Sequence, residues 1–263
     1  MKNFERKINC NKITFRYARG RSLITGDEIH PYFEVLYFMK GKATFLSEQF
    51  EKNLQESTLI IIPKETYHKV QIESRDDYTR LVLNFPDIPE FDSLINDVFT
   101  EIKIIENITS NIRYLIDRII EVLSNEEKGE KNKVLLYSAF YMFLAELNVA
   151  KLSTITPVMR ESDQLISRCI KYIDVNFNKD ISVESISKEM LISGSSLQLY
   201  FKRRLGISVY KYITEKRLIF AHKLITNGAA PTKIYIDCGF NDYPTFYKAY
   251  IKMFGKSPSK DKL

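Results

Sequence analysis

With 263 residues, 44% apolar and 27% charged, the chain has room for two domains with separate cores, and its composition excludes a disordered or fibrous protein. The net charge of +6 is unevenly placed: Arg160 onward carries 18 Lys and Arg against 10 Asp and Glu, a net of +8, whereas the first 159 residues carry 21 against 23, a net of −2. No apolar run approaches the ~20 residues that span a bilayer, no secretory leader opens the chain, and Cys10, Cys169 and Cys238 lie too far apart for a metal or redox pair, so a cytoplasmic protein with no membrane partner is expected.

The first ninety residues read as strands. Phe33–Met39 (FEVLYFM) is aromatic and β-branched, Leu59–Ile62 ends at Pro63, and Arg80–Phe85 (RLVLNF) ends at Pro86. Regularly spaced short strands predict a small barrel or sandwich. Phe15–Leu23 (FRYARGRSL), with Arg16, Arg19 and Arg21, reads as a solvated basic arm; the alternative is capture of an anionic or hydroxyl-rich effector by its guanidinium groups. His30, Glu34, Leu36 and Phe38 share one parity, as do His68, Val70 and Ile72. If the apolar face lines the lumen, His30, Glu34 and His68 lie inside the barrel.

After Pro89 the period lengthens to three or four. Ile112, Leu115, Ile116, Ile119 and Leu123 form one helical stripe; Leu136, Phe140, Phe143, Leu144 and Leu147 form another. The polar link Ser124–Asn132 predicts an antiparallel pair that caps the barrel and offers a dimer surface. Lys151–Pro157 (KLSTITP) breaks the pattern and reads as a linker. Helices are expected at 162–177, 182–190, 194–204, 208–226, 231–238 and 242–253, stopped by Gly206, Gly228, Gly239 and Gly255. The expected domains are therefore 1–150, a linker at 151–160, and 161–263.

Within the last segment a helix carrying Val183, Ile186 and Met190 leads through a Leu-Ile-Ser turn to a second helix capped by Ser193. Leu197 and Phe201 face inward there. Ser193, Gly194, Ser195, Gln198, Lys202 and Arg203 face outward: small and polar groups in front to read base edges, cations behind to hold phosphate. The arrangement repeats. Asp242 caps a helix with Pro244 in its first turn, Phe246 and Tyr250 inside, and Tyr243, Thr245, Tyr247, Lys248 and Lys252 outside. Between the two units Ser208–Thr226, about 19 residues and roughly 28 Å long, would hold two reading helices in successive major grooves of a duplex that repeats every ~34 Å.

The stretches GISVYKYITEKRLIFA (Gly206–Ala221) and GFNDYPTFYKAYIKMFGKSP (Gly239–Pro258) resemble the DNA-binding domain of the AraC/XylS family. Leu199 stands where that family has an arginine, Tyr235 where it has a small residue, and Lys248 where it has an arginine, which keeps the charge but loses the bidentate fork. More loosely, HPYFEVLYFMKG (His30–Gly41), IIIPKETYHKV (Ile60–Val70) and YTRLVLNF (Tyr78–Phe85) resemble the family's cupin-type effector domain. The resemblance implies a multidomain α+β protein: a cupin-like β-barrel with an antiparallel helix pair, then an all-α domain of two helix-turn-helix units joined by a long helix. It implies a homodimeric transcription regulator, an activator by family analogy, that binds double-stranded DNA, contacts RNA polymerase and responds to a small-molecule effector. Alternatives are control by a protein partner and a metal-dependent cupin enzyme. Enzymatic cupins have a first-motif histidine where this chain has Glu28; Glu28, His30, Glu34 and His68 could still form an octahedral-type metal site, or be polar groups that bond one another, but with Arg19 they are assigned to effector contact, with no metal, cofactor or catalytic residue expected. His222 reads as a helix-surface or interdomain residue.

Overall fold

The computed structural model describes residues 4–20, 29–125, 129–150, 153–154 and 161–261. The hairpin β1 (Phe4–Cys10) and β2 (Ile13–Arg19) turns at Asn11 and Lys12, both at positive φ, as a two-residue turn between twisted strands requires. β3 (Phe33–Ser47), β4 (Glu51–Asn53), β5 (Thr58–Ile62), β6 (His68–Phe85) and β7 (Lys103–Ile105) complete an antiparallel sheet ordered β1-β2-β6-β3-β5-β7, with β4 also on β3.

Two expectations are corrected here. Phe15–Arg19 is not a solvated arm but most of β2: Phe15, Tyr17 and Ala18 are buried and alternate with the more exposed arginines. Arg16 approaches Glu5 at 3.9 Å, and Arg19 is exposed and donates to the Tyr17 hydroxyl. Arg21 and Leu23 lie outside the described residues. Second, the expected strands at Phe33–Met39 and Arg80–Phe85 are only halves of the long strands β3 and β6. The chain does not turn at Gly41; it bulges, with register shifts between Phe38 and Ala43, and bends. Gly41 sits at φ 116°, where a Cβ would lie 3.0 Å from the Tyr78 backbone.

The bend rolls the sheet and explains why FEVLYFM is apolar on both faces, with Glu34 as its one charged residue. Leu36, Phe38, Phe45, Ile60, Ile62, Tyr78 and Val82 fill the inside of the roll. Phe33, Val35, Tyr37, Leu59, Ile61, Leu81, Leu83 and Phe85 face outward. Over that second face lie the short α1 (Asp92–Ile95) and the pair α2 (Ser110–Ser124) and α3 (Glu130–Val149), whose expected stripes are all buried. Phe140 meets Phe15, Phe85 and Phe91 edge-on at 5.0–5.9 Å; each such buried ring contributes about 1.5–3 kcal/mol. On the outer side of the pair Tyr114, Val134, Leu135, Tyr141 and Met142 stay exposed.

The helical region comprises α4 (Glu161–Asn176), α5 (Val183–Glu189), α6 (Gly194–Leu205), α7 (Val209–Thr226), α8 (Pro231–Ile234) and α9 (Tyr243–Phe254). The helix expected to reach 238 stops at Ile234, because turns from Tyr235 to Phe240 bring Cys238 and Phe240 inward. α7 is a wall shared by two cores. Val209, Tyr212, Ile213 and Ile219 pack with α4–α6; Leu218, Ala221 and Ile225 pack with Ile234, Phe240, Phe246 and Tyr250.

The two halves meet at Gly239. It has φ 85°, and a Cβ there would sit 2.7 Å from Arg217 Nε and 3.1 Å from Asn178 Cα. Arg217 cannot easily yield, since its Nε and Nη2 donate to the Phe177 and Lys179 carbonyls at 2.6 and 2.9 Å. Gly239→Ala is therefore expected to cost about 2 kcal/mol, read as a lowered urea midpoint of the full chain; an unchanged midpoint would show that this joint is soft.

Candidate nucleic-acid interface and sensing site

α5 starts with a reciprocal cap: the Ser182 hydroxyl accepts from Ser185 N–H, and the Ser185 hydroxyl accepts from Ser182 N–H. The turn into α6 passes through Leu191 at φ 58° and ends at Ser193, which accepts from Ser196 N–H. Burial of Leu197, Phe201, Arg204 and Leu205 fixes the roll of α6. That roll leaves Ser193, Ser195, Leu199, Lys202 and Arg203 exposed and Gly194 half-buried. Two of the expected readers also have work inside the protein: Gln198 is half-buried and accepts from Val209 N–H, and Lys202 Nζ donates to the Gly206 carbonyl at 2.9 Å.

α9 begins at Asp242, whose carboxylate takes Thr245 N–H at 2.7 Å and the Thr245 hydroxyl at 2.9 Å. These hydrogen bonds hold that carboxyl below its usual range. Phe246 and Tyr250 are buried; Thr245, Lys248 and Lys252 are exposed; Tyr243 and Tyr247 are half-buried, their rings 5.9 Å apart. α7, capped by Ser208, has 18 residues and hence a length of roughly 27 Å. All eleven expected DNA contacts therefore lie at or near two capped helices on either side of one rod.

His222, on α7, is half-buried: its Nδ1 lies 2.9 Å from the Tyr250 hydroxyl and its ring stacks on Phe254 at 4.5 Å. It also borders a groove of about 580 Å³ whose other walls include Lys12, Pro31 and Lys64 of the sheet domain. Burial pushes the Cys169 thiol up to about 11 and the Cys238 thiol up to about 12.

In the sheet domain the structure brings together three of the five residues assigned to effector contact. His30, Glu34 and His68 are buried, with each histidine Nε2 toward the Glu34 carboxylate, at 3.3 and 3.6 Å. Asn84 donates to the same carboxylate at 2.6 Å. Burial opposes the charge on Glu34, but the two histidines that face it outweigh burial and hold its carboxyl well below the usual range. Arg19 does not join them. It pairs with Thr79, five rungs along β6 from Asn84, or roughly 16 Å away at the level of Glu34. Glu28 lies outside the described residues.

A junction between the domains carries no local sequence mark. The Tyr67 hydroxyl donates to the Leu205 carbonyl at 2.6 Å, at the end of α6. Glu48 Oε1 accepts from the Tyr212 hydroxyl at 2.7 Å and from Tyr67 N–H at 3.1 Å, with Lys216 Nζ 3.9 Å away. Lys216 also reaches Asp174 and the Glu65 carbonyl, and Arg204 reaches Glu51 at 3.3 Å. Burial pushes the Glu48 carboxyl up; burial would push Lys216 down, but the Glu48 and Asp174 carboxylates outweigh it and raise that amine. Ile29 and Tyr67, which adjoin His30 and His68, complete the core of the first helix-turn-helix unit. α6 thus docks by its inner side and C-terminal end, and Ser193, Ser195, Lys202 and Arg203 remain exposed.

A rolled-sheet domain joined to paired helix-turn-helix units defines a ligand-responsive DNA-binding regulator. Residues 12–144 match the family described as AraC-like ligand binding domain, and residues 186–262 match a helix-turn-helix domain family. The chain belongs to the AraC family of transcription regulators. It is 22% identical over 249 residues to the Msm operon regulatory protein of Streptococcus mutans, covering 92% of this chain and 87% of that one. It is 26% identical over 153 residues to the lactose operon transcription activator of Staphylococcus xylosus (58% and 55% covered). Over 90 residues it is 31% identical to the probable transcriptional regulator LumQ of Photobacterium leiognathi (34% and 36% covered). The chain thus spans most of the first relative, about half of the second and about a third of the third. These relatives are transcription regulators rather than enzymes. No described helix is long and apolar enough to cross a membrane.

Proposed function

We propose that the chain is a cytoplasmic, sequence-specific transcription activator that works as a homodimer and is switched by a small molecule held at the polar end of its N-terminal roll. The observation that carries this reading is the pair of capped helices α6 and α9, with exposed serines, threonine and cations, set on one 27 Å rod. That length suits successive major grooves of one duplex, with two protomers on repeated sites beside a promoter and RNA polymerase as the contact made from there. The exposed apolar side of α2 and α3, with Tyr114, Val134 and Met142, supports dimerisation. The effector signal would pass from His30 and His68 through Ile29 and Tyr67 into the core beneath α6.

The test is binding of the full chain to promoter DNA across a salt series. With about six phosphates neutralised, log affinity should fall against log salt with a slope of about −5. Salt-insensitive binding would contradict the assignment of the basic faces.

A further inference from the structure

We propose that His30, Glu34 and His68 bind a divalent transition-metal ion, with coordination positions left open for a donor atom of the effector. This names the ligand class of the sensing site and departs from the expectation that no metal binds. Its regulatory consequence rests on the reading above; the ion itself does not.

The argument starts from the ring nitrogens. His30 Nδ1 lies 2.8 Å from the Tyr32 carbonyl, and His68 Nδ1 lies 3.0 Å from the Thr66 carbonyl. A carbonyl can only accept, so both Nδ1 atoms carry hydrogen. The Nε2 atoms are the ones turned toward Glu34, at 3.3 Å from Oε2 and 3.6 Å from Oε1. A charge-assisted N–H to carboxylate bond would be shorter, about 2.7–2.9 Å. Two donor atoms each about 2.1 Å from one ion, and about 90–110° apart, sit roughly 3.0–3.4 Å from each other. The observed spacings are near that range, and one donor atom from each of the three residues lies within 4.8 Å of the others.

The charges agree. If both rings are neutral, two lone pairs point at a carboxylate in a buried site, which is repulsive without a cation between them. If both are protonated, two cationic rings face one carboxylate among the described residues. A dication accepts the lone pairs of two neutral imidazoles and the charge of one carboxylate at once. The surroundings are those of ligands held in place: each ring is fixed by a carbonyl behind it, Asn84 grips the carboxylate, and Tyr32 stacks on His30 at 3.9 Å. Two imidazoles with one carboxylate suit zinc, iron, cobalt, nickel or manganese better than calcium or magnesium, and three protein ligands leave room for an oxygen or nitrogen donor from a small molecule.

The test uses full-length protein stripped with a chelator and titrated with Co2+. We expect one saturable set of visible d–d bands at one equivalent, without the thiolate charge-transfer absorption that a cysteine ligand would give. His68→Gln and Glu34→Gln should each weaken Co2+ binding at least about 100-fold, and Asn84→Ala about 10-fold. Because the ligands are buried and a variant could fail to fold, the unaltered protein gives a second readout: its melting temperature should rise with Zn2+ and return with chelator. Absence of both the bands and the melting shift, or bands unchanged in folded His68→Gln and Glu34→Gln, would overturn the site. Loss of the cobalt bands with DNA binding intact removes the ion alone, whereas one-equivalent cobalt binding without any DNA binding upholds the ion and removes the regulator reading.

Discussion

Glu48→Ala is expected to lower stability by about 3 kcal/mol and to uncouple DNA affinity from the state of the N-terminal domain. The substitution takes one carboxylate from three partners at once. The Tyr212 hydroxyl and Tyr67 N–H lose their acceptor in a buried setting, and Lys216 keeps Asp174 and the Glu65 carbonyl. An orphaned buried donor costs about 1–3 kcal/mol, and breaking a buried charge pair from one side about 3–5; because Lys216 retains other partners, the lower end applies. Glu48→Gln keeps an acceptor oxygen and should cost about 1 kcal/mol. Chemical denaturation of the two variants checks the ranking. Equal losses would mean that the negative charge beside Lys216, rather than the acceptor oxygen offered to Tyr212 and Tyr67, carries the stabilisation. DNA titration checks the coupling: with the junction open, affinity should no longer change when the N-terminal domain is loaded.

Arg203→Ala combined with Lys248→Ala is expected to weaken DNA binding about 100-fold, or about 2.7 kcal/mol, and to make the salt slope shallower by about 2. The two side chains are exposed on different reading helices, α6 and α9. If both helices engage one duplex, each single change costs about tenfold and the costs add, since the sites share no partner. The loss should be uniform across sequences, because phosphate contacts position a protein without reading bases. A double variant no weaker than Arg203→Ala alone would mean that only the first unit meets DNA. Gln198 offers the complementary case: its carbonyl also receives Val209 N–H, so altering it would disturb the start of α7 as well as any base it reads.

Most of the helical architecture was legible because its signals are local. The stripes of α2 and α3, the caps at Ser193 and Asp242, and the left-handed stops at Gly206 and Gly255 each depend on residues no more than a few positions apart. β2 was misjudged although its alternation is regular, because three arginines suggested solvent where the intervening Phe15 and Tyr17 were the better guide. The full lengths of β3 and β6 were hidden by Gly41, which reads as a turn and acts as a bulge.

The amino-acid sequence by itself determined most of the helices, the order of a strand-rich and then a basic helical domain, and the family. Only the tertiary structure decided what meets what. Glu34 and Ser47, the rung partner of His68, are 13 residues apart on β3, roughly 43 Å if the strand ran straight. The bulge and the roll of the sheet bring Glu34 and His68 to 3.6 Å instead. Glu48 and Tyr212, 164 residues apart, touch because the DNA-binding core borrows Ile29 and Tyr67 from the other domain. Caps and stripes follow from backbone geometry over one or two turns; contacts of this range depend on strand register and on which apolar faces find each other, and no short window of sequence contains either.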